Sequence, residues 1–267
     1  MTQDEKRIYL INRLLQERAE YEFVAVPDQA DKQKMLLRAL MNIRPPQATD
    51  NEFLRVQDEY LRQEIQKKGI TDIADLQPLQ RDIYLWKGDI TTLKCDGIVN
   101  AANSKMLGCF CPNHGCIDNA IHTYAGIQLR SECAEIMKKQ GHDEPTGTAK
   151  ITKSYNLPCK YILHTVGPVV YGKLTEQNKT DLANCYRACL TLADKNGLNS
   201  LAFCCISTGE FRFPNEIAAQ IAVRTVEEYK AQTNSKIKVI FNVFKENDYA
   251  IYKRILDSIR AIKKSFE

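Results

Sequence analysis

From Arg81 onward, short apolar runs alternate with longer segments of helical periodicity, and this alternation restricts the fold more than any other feature of the chain. Ile83-Tyr84-Leu85-Trp86, Gly97-Ile98-Val99-Asn100, Ala149-Lys150-Ile151-Thr152 and Tyr161-Ile162-Leu163-His164-Thr165-Val166 read as strands. Leu201-Ala202-Phe203-Cys204-Cys205-Ile206 is apolar throughout, the pattern of a strand covered on both faces, and Ile237-Lys238-Val239-Ile240-Phe241-Asn242-Val243 reads as another strand. Residues 116–139, 179–196, 215–230 and 246–264 carry helical periodicity, and Gly197 ends the second of these. The pattern predicts an α/β fold in which a mainly parallel sheet lies between helices, with ligand-binding loops at the carboxyl ends of the strands.

The beginning of the chain has a different texture. Residues 1–78 read as all-helical: Ile8, Leu10, Ile11, Leu14 and Leu15 recur at helical spacing, as do Met35, Leu36, Leu37, Leu40 and Met41, then Phe53, Leu54, Val56, Tyr60, Leu61 and Ile65 before Gly69. Pro27-Asp28 and Pro45-Pro46 separate these segments. No grouping of residues here suggests chemistry, so residues 1–78 are expected to be a helical extension packed on a main domain of residues 79–267.

With 267 residues, 44% of them hydrophobic and 26% charged, the chain is expected to build a sizeable soluble core. Its net charge of +4 is small and dispersed, which argues against a nucleic-acid partner and suits a small anionic ligand. No stretch approaches the roughly 18 apolar residues of a membrane span, and the first residues lack the apolar core of a signal peptide. The expectation is a cytoplasmic protein without a membrane partner, in which the 10 cysteines are reduced thiols or metal ligands rather than a disulfide framework. Cys185, Cys189, Cys204 and Cys205 lie in apolar runs and are expected to be packing.

Residues 100–122 hold the densest reactive chemistry, between an expected strand and an expected helix. Asn100-Ala101-Ala102-Asn103 is followed by Gly108-Cys109-Phe110-Cys111-Pro112-Asn113-His114-Gly115-Cys116, then by Asp118 and His122. Thiolate and imidazole together suit Zn²⁺, and a site with three protein ligands keeps a fourth position open for water or substrate, as catalysis requires. Cys109, His114 and Cys116 would form such a trio. Cys111 is also at hand, so a closed, structural four-ligand site is an alternative on residue types alone. His122 and His164 are expected to be hydrogen-bonded structural residues, and His142, among polar neighbours, to be solvated.

Several short runs then converge. Gly88-Asp89-Ile90-Thr91 follows the first strand of the α/β part, Asn100-Ala101-Ala102-Asn103 the second, Val166-Gly167-Pro168 a later one, and Ile206-Ser207-Thr208-Gly209-Glu210-Phe211 closes the continuous apolar run. In that order they resemble the motifs of the macrodomain family of ADP-ribose-binding proteins, over about residues 81–267. The cysteine- and histidine-bearing loop, with Ile117-Asp118 and Ala120-Ile121-His122 in place after it, resembles the zinc-dependent branch of that family. Members of that branch are microbial enzymes that remove ADP-ribose from proteins and carry a helical N-terminal extension. The resemblance implies a three-layer α/β/α macrodomain with a mixed, mainly parallel sheet. Its pattern, Gly-Cys-Phe then Pro-x-His-x-Cys, implies Zn²⁺ on Cys109, His114 and Cys116 and leaves Cys111 as the extra residue.

The resemblance also implies how the ligand is divided. Asp89 would accept a hydrogen bond from the adenine amino group, with the backbone of Ile90 beside it. Ser207, Thr208, Gly209 and Glu210 would form a loop whose N–H groups cradle the diphosphate. Phe211 would pack near the distal ribose, Phe244 would face the adenine, and Asn103 would hold the distal ribose hydroxyls. Asp118 would orient or deprotonate water, or hold the ribose. The implied activity is zinc-dependent hydrolysis of mono-ADP-ribose from protein side chains, with ADP-ribose as product and cation-like character at C1 of the distal ribose in the transition state. Two other activities fit the same pocket: a non-catalytic ADP-ribose reader in which zinc only braces the loop, and a deacetylase of O-acetyl-ADP-ribose.

Overall fold

The structure is a computed structural model and describes residues 1–264, so the last three residues of the expected 79–267 domain lie outside it. Three helices open the chain: α1 (Gln3–Gln16), α2 (Ala30–Ile43) and α3 (Asn51–Lys68). Their ends follow local chemistry. Thr2 and Glu5 close a capping box at the start of α1, Asp50 caps α3 by accepting from the Phe53 N–H, and Gly69, at φ +89°, ends α3. Leu10, Ile11, Leu37, Phe53 and Val56 pack into one apolar cluster, which Ile127 joins from downstream.

The all-helical reading of residues 1–78 fails at one point, because Thr71–Asp72 is a short strand, β1. There follow β2 (Ile83–Lys87), β3 (Leu93–Lys94), β4 (Gly97–Ala102), α4 (Ile117–Ala125), α5 (Ile127–Gln140), β5 (Ala149–Lys153) and β6 (Tyr161–Val166). The chain continues through α6 (Glu176–Lys195), β7 (Ser200–Phe203), α7 (Asn215–Thr233), β8 (Lys238–Val243) and α8 (Glu246–Lys264). β1 pairs in parallel with β3. The main sheet has the order β2-β8-β7-β4-β6-β5, parallel throughout except for β5, which runs antiparallel at one edge. Helices cover both faces, giving the expected three-layer α/β/α fold with a mixed, mainly parallel sheet. Ile98, Val99, Leu163, Leu201, Phe203, Ile240 and Phe241 form the centre of its core.

Besides shifts of one to three residues at several ends, two boundaries differ from the pattern of the sequence in kind. The helix read over residues 116–139 is two helices, because Gly126 adopts φ +101°, a conformation that side-chain-bearing residues rarely take, and a Cβ there would meet Gln57 Nε2 at 2.6 Å. The apolar run at 201–206 is strand only to Phe203; its last three residues already belong to the loop at the carboxyl end. Because five strands are parallel, the loops after β2, β4, β7 and β8 meet along one edge of the sheet. Among the described residues, no helix is long and apolar enough to cross a membrane.

Candidate active site

Those loops enclose a cleft of about 1080 Å³. Asp89 and Ile90 line it from the loop after β2, Asn103, Cys109, His114, Cys116 and Asp118 from the segment between β4 and α4, Ser207, Thr208, Gly209, Glu210 and Phe211 from the loop after β7, and Phe244 from the end of β8. Every site residue picked out in the sequence is thus brought to one place.

The segment between β4 and α4 turns tightly, with left-handed backbone at Met106 (φ +61°), Gly108 (φ +79°) and Asn113 (φ +55°). Glycine is required at 108, where a Cβ would sit 2.7 Å from Cγ of His122. Cys116 is the N-cap of α4, its Sγ accepting from the Asn119 N–H at 3.4 Å. Cys109 Sγ lies 3.7 Å from His114 Nδ1, and the ligand atoms of Cys109, His114 and Cys116 all lie within 4.8 Å of one another. Cys111 is exposed and stands outside this group, so the geometry assembles three ligand atoms rather than the four of a closed site.

The donor set fits Zn²⁺ chemically as well as geometrically. Burial, with the Cys109 sulfur and Asp118 adding to it against the Asn119 N–H, pushes the Cys116 thiol up to about 12. A thiolate there needs a cation beside it. His114 turns Nδ1 toward the Cys109 sulfur and has Nε2 3.6 Å from Glu210 Oε1. A metal-binding imidazole is commonly held this way, with its distal N–H facing a carboxylate.

Asp118, two residues after Cys116, lines the same cleft and is buried. Asn100 Nδ2 donates to its Oδ1 at 2.8 Å, and Asn103 Nδ2, which also reaches the Gly108 carbonyl at 3.1 Å, donates to its Oδ2 at 3.3 Å. Burial outweighs Asn100, Arg130 and Asn103 and raises the Asp118 carboxyl to about 6. His164 is hydrogen-bonded as expected, between Asn100 Nδ2 at 3.1 Å and Thr152 Oγ1 at 2.9 Å, and burial pushes it down to about 3. His122 departs from expectation: neither ring nitrogen has a hydrogen-bond partner, and Nε2 lies 3.5 Å from Asp118 Oδ1. Burial, then His164 and Arg130, hold it well below its ordinary value, so it is neutral.

At the other end of the cleft, Asp89 caps the turn at Ile90–Thr92, its Oδ1 accepting from the Thr91 N–H at 3.0 Å and from Thr91 Oγ1 at 2.6 Å. Its Oδ2 accepts from Lys68 Nζ at 2.8 Å, and Lys68 also lies 3.4 Å from the centre of the Tyr124 ring. Against the raising effect of burial, Lys68 and Thr91 hold the Asp89 carboxyl below the usual carboxylate range. Phe244 is 76% exposed at the rim. Across the cleft Ser207 has φ +64°, and Gly167 approaches so closely that a Cβ would meet Ser207 Oγ at 2.0 Å.

Among the cleft residues that the sequence does not single out, two come from the N-terminal helices. Arg38 and Lys68 come from α2 and α3, where each reads as an ordinary basic residue on an amphipathic helix.

A family model described as "Macro domain" matches residues 99–222. A "Protein-ADP-ribose hydrolase" of Treponema medium is 60% identical over 260 residues, spanning 96% of this chain and 100% of its own length. The chain belongs to the macrodomain family. A second relative of that description, from Staphylococcus aureus (strain MSSA476), is 51% identical over 247 residues, with 92% of each chain covered. Among solved structures, the Trypanosoma brucei macrodomain in complex with ADP-ribose superposes with a TM-score of 0.63 at 31% identity, covering 81% of this chain and 94% of its own. The stretch matched to the family holds the cysteine–histidine loop and the Ser207–Phe211 loop of this macrodomain. Asp89 and Phe244, which flank the opposite end of the cleft, lie outside it.

Proposed function

We propose that this macrodomain is a zinc-dependent hydrolase that removes mono-ADP-ribose from modified protein side chains and releases ADP-ribose. The observation that carries the reading is the placement of the Cys109, His114 and Cys116 ligand atoms, within 4.8 Å of one another, beside a buried carboxylate in the cleft. The descriptions of the Treponema medium and Staphylococcus aureus relatives support the hydrolytic part of it. Free thiols at all ten cysteines suit the reducing cytoplasm in which we place the enzyme.

Zn²⁺ held by Cys109, His114 and Cys116 would supply Lewis acidity and a fixed point for a ribose hydroxyl, leaving group or water. Asp118, with a carboxyl near 6, is largely ionised at neutral pH and would take a proton from water or hold a ribose hydroxyl. Asn103 would orient the distal ribose through the amide that already bridges Asp118 and the Gly108 carbonyl. Asp89, with the Ile90 backbone beside it, would receive the adenine amino group. The N–H groups of Ser207, Thr208, Gly209 and Glu210 would hold the diphosphate, and Phe211 and Phe244 would flank the distal ribose and the adenine.

The test is release of labelled ADP-ribose from a mono-ADP-ribosylated protein, with zinc content measured in parallel, with and without chelator. Cys116→Ala is expected to lose zinc and turnover together, and Asp118→Ala to keep zinc and lose turnover. Undiminished release by the metal-free protein would sink the zinc mechanism. Tight ADP-ribose binding without release would favour the reader instead, and release of acetate from O-acetyl-ADP-ribose alone would favour the deacetylase.

A further inference from the structure

The loop that carries the three ligand atoms does little to hold its own shape. Between Gly108 and Cys116 its internal backbone bonding consists of the His114 N–H on the Cys111 carbonyl at 3.3 Å. The remaining bonds that fix its shape come from outside the loop. Arg130 Nε donates to the Leu107 carbonyl at 2.7 Å, and Asn119 Nδ2 to the Cys111 carbonyl at 2.9 Å. Asn103 Nδ2 donates to the Gly108 carbonyl at 3.1 Å. Two more anchors come from α2: Asn42 Oδ1 accepts from the Asn113 N–H at 3.0 Å, and Arg38 Nη2 donates to the His114 carbonyl at 2.9 Å.

Arg38 acts at a second point as well. Its Nε and Nη2 donate to Asn119 Oδ1 at 3.2 and 2.7 Å, which turns the Asn119 amide so that Nδ2 meets the Cys111 carbonyl. The backbone N–H of the same Asn119 points at Cys116 Sγ. One guanidinium therefore restrains the main chain of one ligand and the hydrogen-bond partner of another. Asn42 is fixed in turn, donating to Thr123 Oγ1 at 2.9 Å, while Arg130 Nη1 holds its carbonyl at 2.8 Å.

We infer that the N-terminal helical extension is part of the metal site, with Arg38 and Asn42 of α2 as positioning residues that hold the Cys109–Cys116 loop in its metal-binding shape. The inference rests on the zinc-dependent reading above and goes beyond it by assigning a role to helices that lie outside the stretch matched to the family. Arginine suits the task because its planar fork reaches a carbonyl and an amide oxygen at once, which a lysine cannot do. A ligand loop that must be ordered by the metal itself binds that metal more weakly, and outer partners of ligands typically matter by about 10–100-fold in affinity.

The experiment measures zinc affinity by competition with a chromogenic chelator on the full chain, for wild type, Arg38→Ala, Asn42→Ala and Arg38→Lys, with Cys116→Ala as the site-less baseline. Urea unfolding of the metal-free chains, followed by the single tryptophan, Trp86, reports the fold independently. The expected result is about 10–100-fold weaker zinc binding in Arg38→Ala and Asn42→Ala with a urea midpoint near that of wild type, and an intermediate affinity in Arg38→Lys. Wild-type affinity in both alanine variants overturns the inference. So does a loss of affinity that appears only where the urea midpoint collapses, since α2 would then merely support the fold. A wild-type chain that binds no more zinc than Cys116→Ala refutes the zinc-dependent reading itself, and this inference with it.

Discussion

Asp118→Asn isolates the energetic burden of a buried carboxylate from its chemical use. The carboxyl is raised from 3.8 to about 6 by burial, and each unit corresponds to about 1.36 kcal/mol, so the ionised side chain destabilises the native state by about 3 kcal/mol at pH 7. The sign follows from proton binding: the native state binds the proton more tightly than the unfolded chain, so the stability it contributes is complete below 3.8 and is lost as pH rises through 6. An asparagine keeps the acceptor for Asn100 Nδ2, but its amide faces the Asn103 Nδ2 that donated to Oδ2, a mismatch of about 1–3 kcal/mol. The net expectation at pH 7 ranges from no change to about 2 kcal/mol of added stability, while turnover falls by about 10²–10⁴-fold if Asp118 is the base. The pH dependence is sharper than the offset, since the donor mismatch does not titrate. Between pH 7 and pH 5 the stability of Asp118→Asn relative to wild type should fall by about 1 kcal/mol. His122 and His164, both held below their ordinary values, make each protein less stable as pH falls below 6.5, and the comparison cancels their contribution. Urea unfolding followed by Trp86 fluorescence, in chelator to keep both chains metal-free, measures the difference. A difference that stays constant from pH 5 to pH 7 would refute the claim that burial sets the state of this carboxylate.

Three further substitutions probe other walls of the cleft. Cys111→Ser should leave zinc content and turnover unchanged, because Cys111 is exposed and apart from the other three ligand atoms; metal analysis of the purified variant checks this. Gly167→Ala places a Cβ 2.0 Å from Ser207 Oγ and 2.8 Å from Ile206 Cγ2, so it should displace the Ser207–Glu210 loop. Overpacking of this kind weakens a site or fold by about 1–3 kcal/mol, which calorimetry would read as roughly 10–100-fold weaker ADP-ribose binding. Asp89→Ala removes a charged acceptor worth about 1.5–3 kcal/mol, again roughly 10–100-fold in ADP-ribose affinity, and also the cap of the Ile90–Thr92 turn, visible as a small drop in melting temperature.

The sequence revealed what depends on local pattern and concealed what depends on packing. Strands such as Leu201-Ala202-Phe203 are buried on both faces, so their composition is nearly uniform and easily read. The same uniformity hid the end of β7, since Cys204 and Ile206 remain apolar after the strand has become loop. The break at Gly126 fell inside an apolar rhythm that continues from Ile121 to Leu129, and only the backbone angle exposes it. Strands β1 and β3, two residues each, are too short to show a period. Residue type drew attention to Cys109, Cys111, His114 and Cys116 alike; the family pattern already set Cys111 aside, and the distances group the ligand atoms of the other three. Arg38 and Lys68 could not be read at all: their partners at 119 and 89 are 81 and 21 positions away, reached only because α2 and α3 dock against the cleft.

The polar chain beneath Asp118 explains how a carboxylate can be both buried and available to accept a proton. Asn100 stands opposite His164 in the β4–β6 register, at the centre of the sheet, and uses its amide on both sides, donating to Asp118 Oδ1 and to His164 Nδ1. Because Nδ1 accepts, the proton of this neutral imidazole lies on Nε2, where it is donated to Thr152 Oγ1. Burial keeps His164 neutral at any working pH, so Asn100 and His164 present dipoles to Asp118, and the cation whose field reaches it is Arg130. The Asn100 and Asn103 amides and the charge of buried Arg130 pull the carboxyl down, and burial outweighs them and keeps it near 6, where it can still accept a proton. The orientation of the Asn100 amide follows from the same logic. Turning it over would aim Oδ1 at the carboxylate, and the native arrangement instead leaves Oδ1 buried without a partner. One unsatisfied acceptor is thereby tolerated in the middle of the sheet, at a position where both donors of the amide serve the carboxylate and the histidine that flank it.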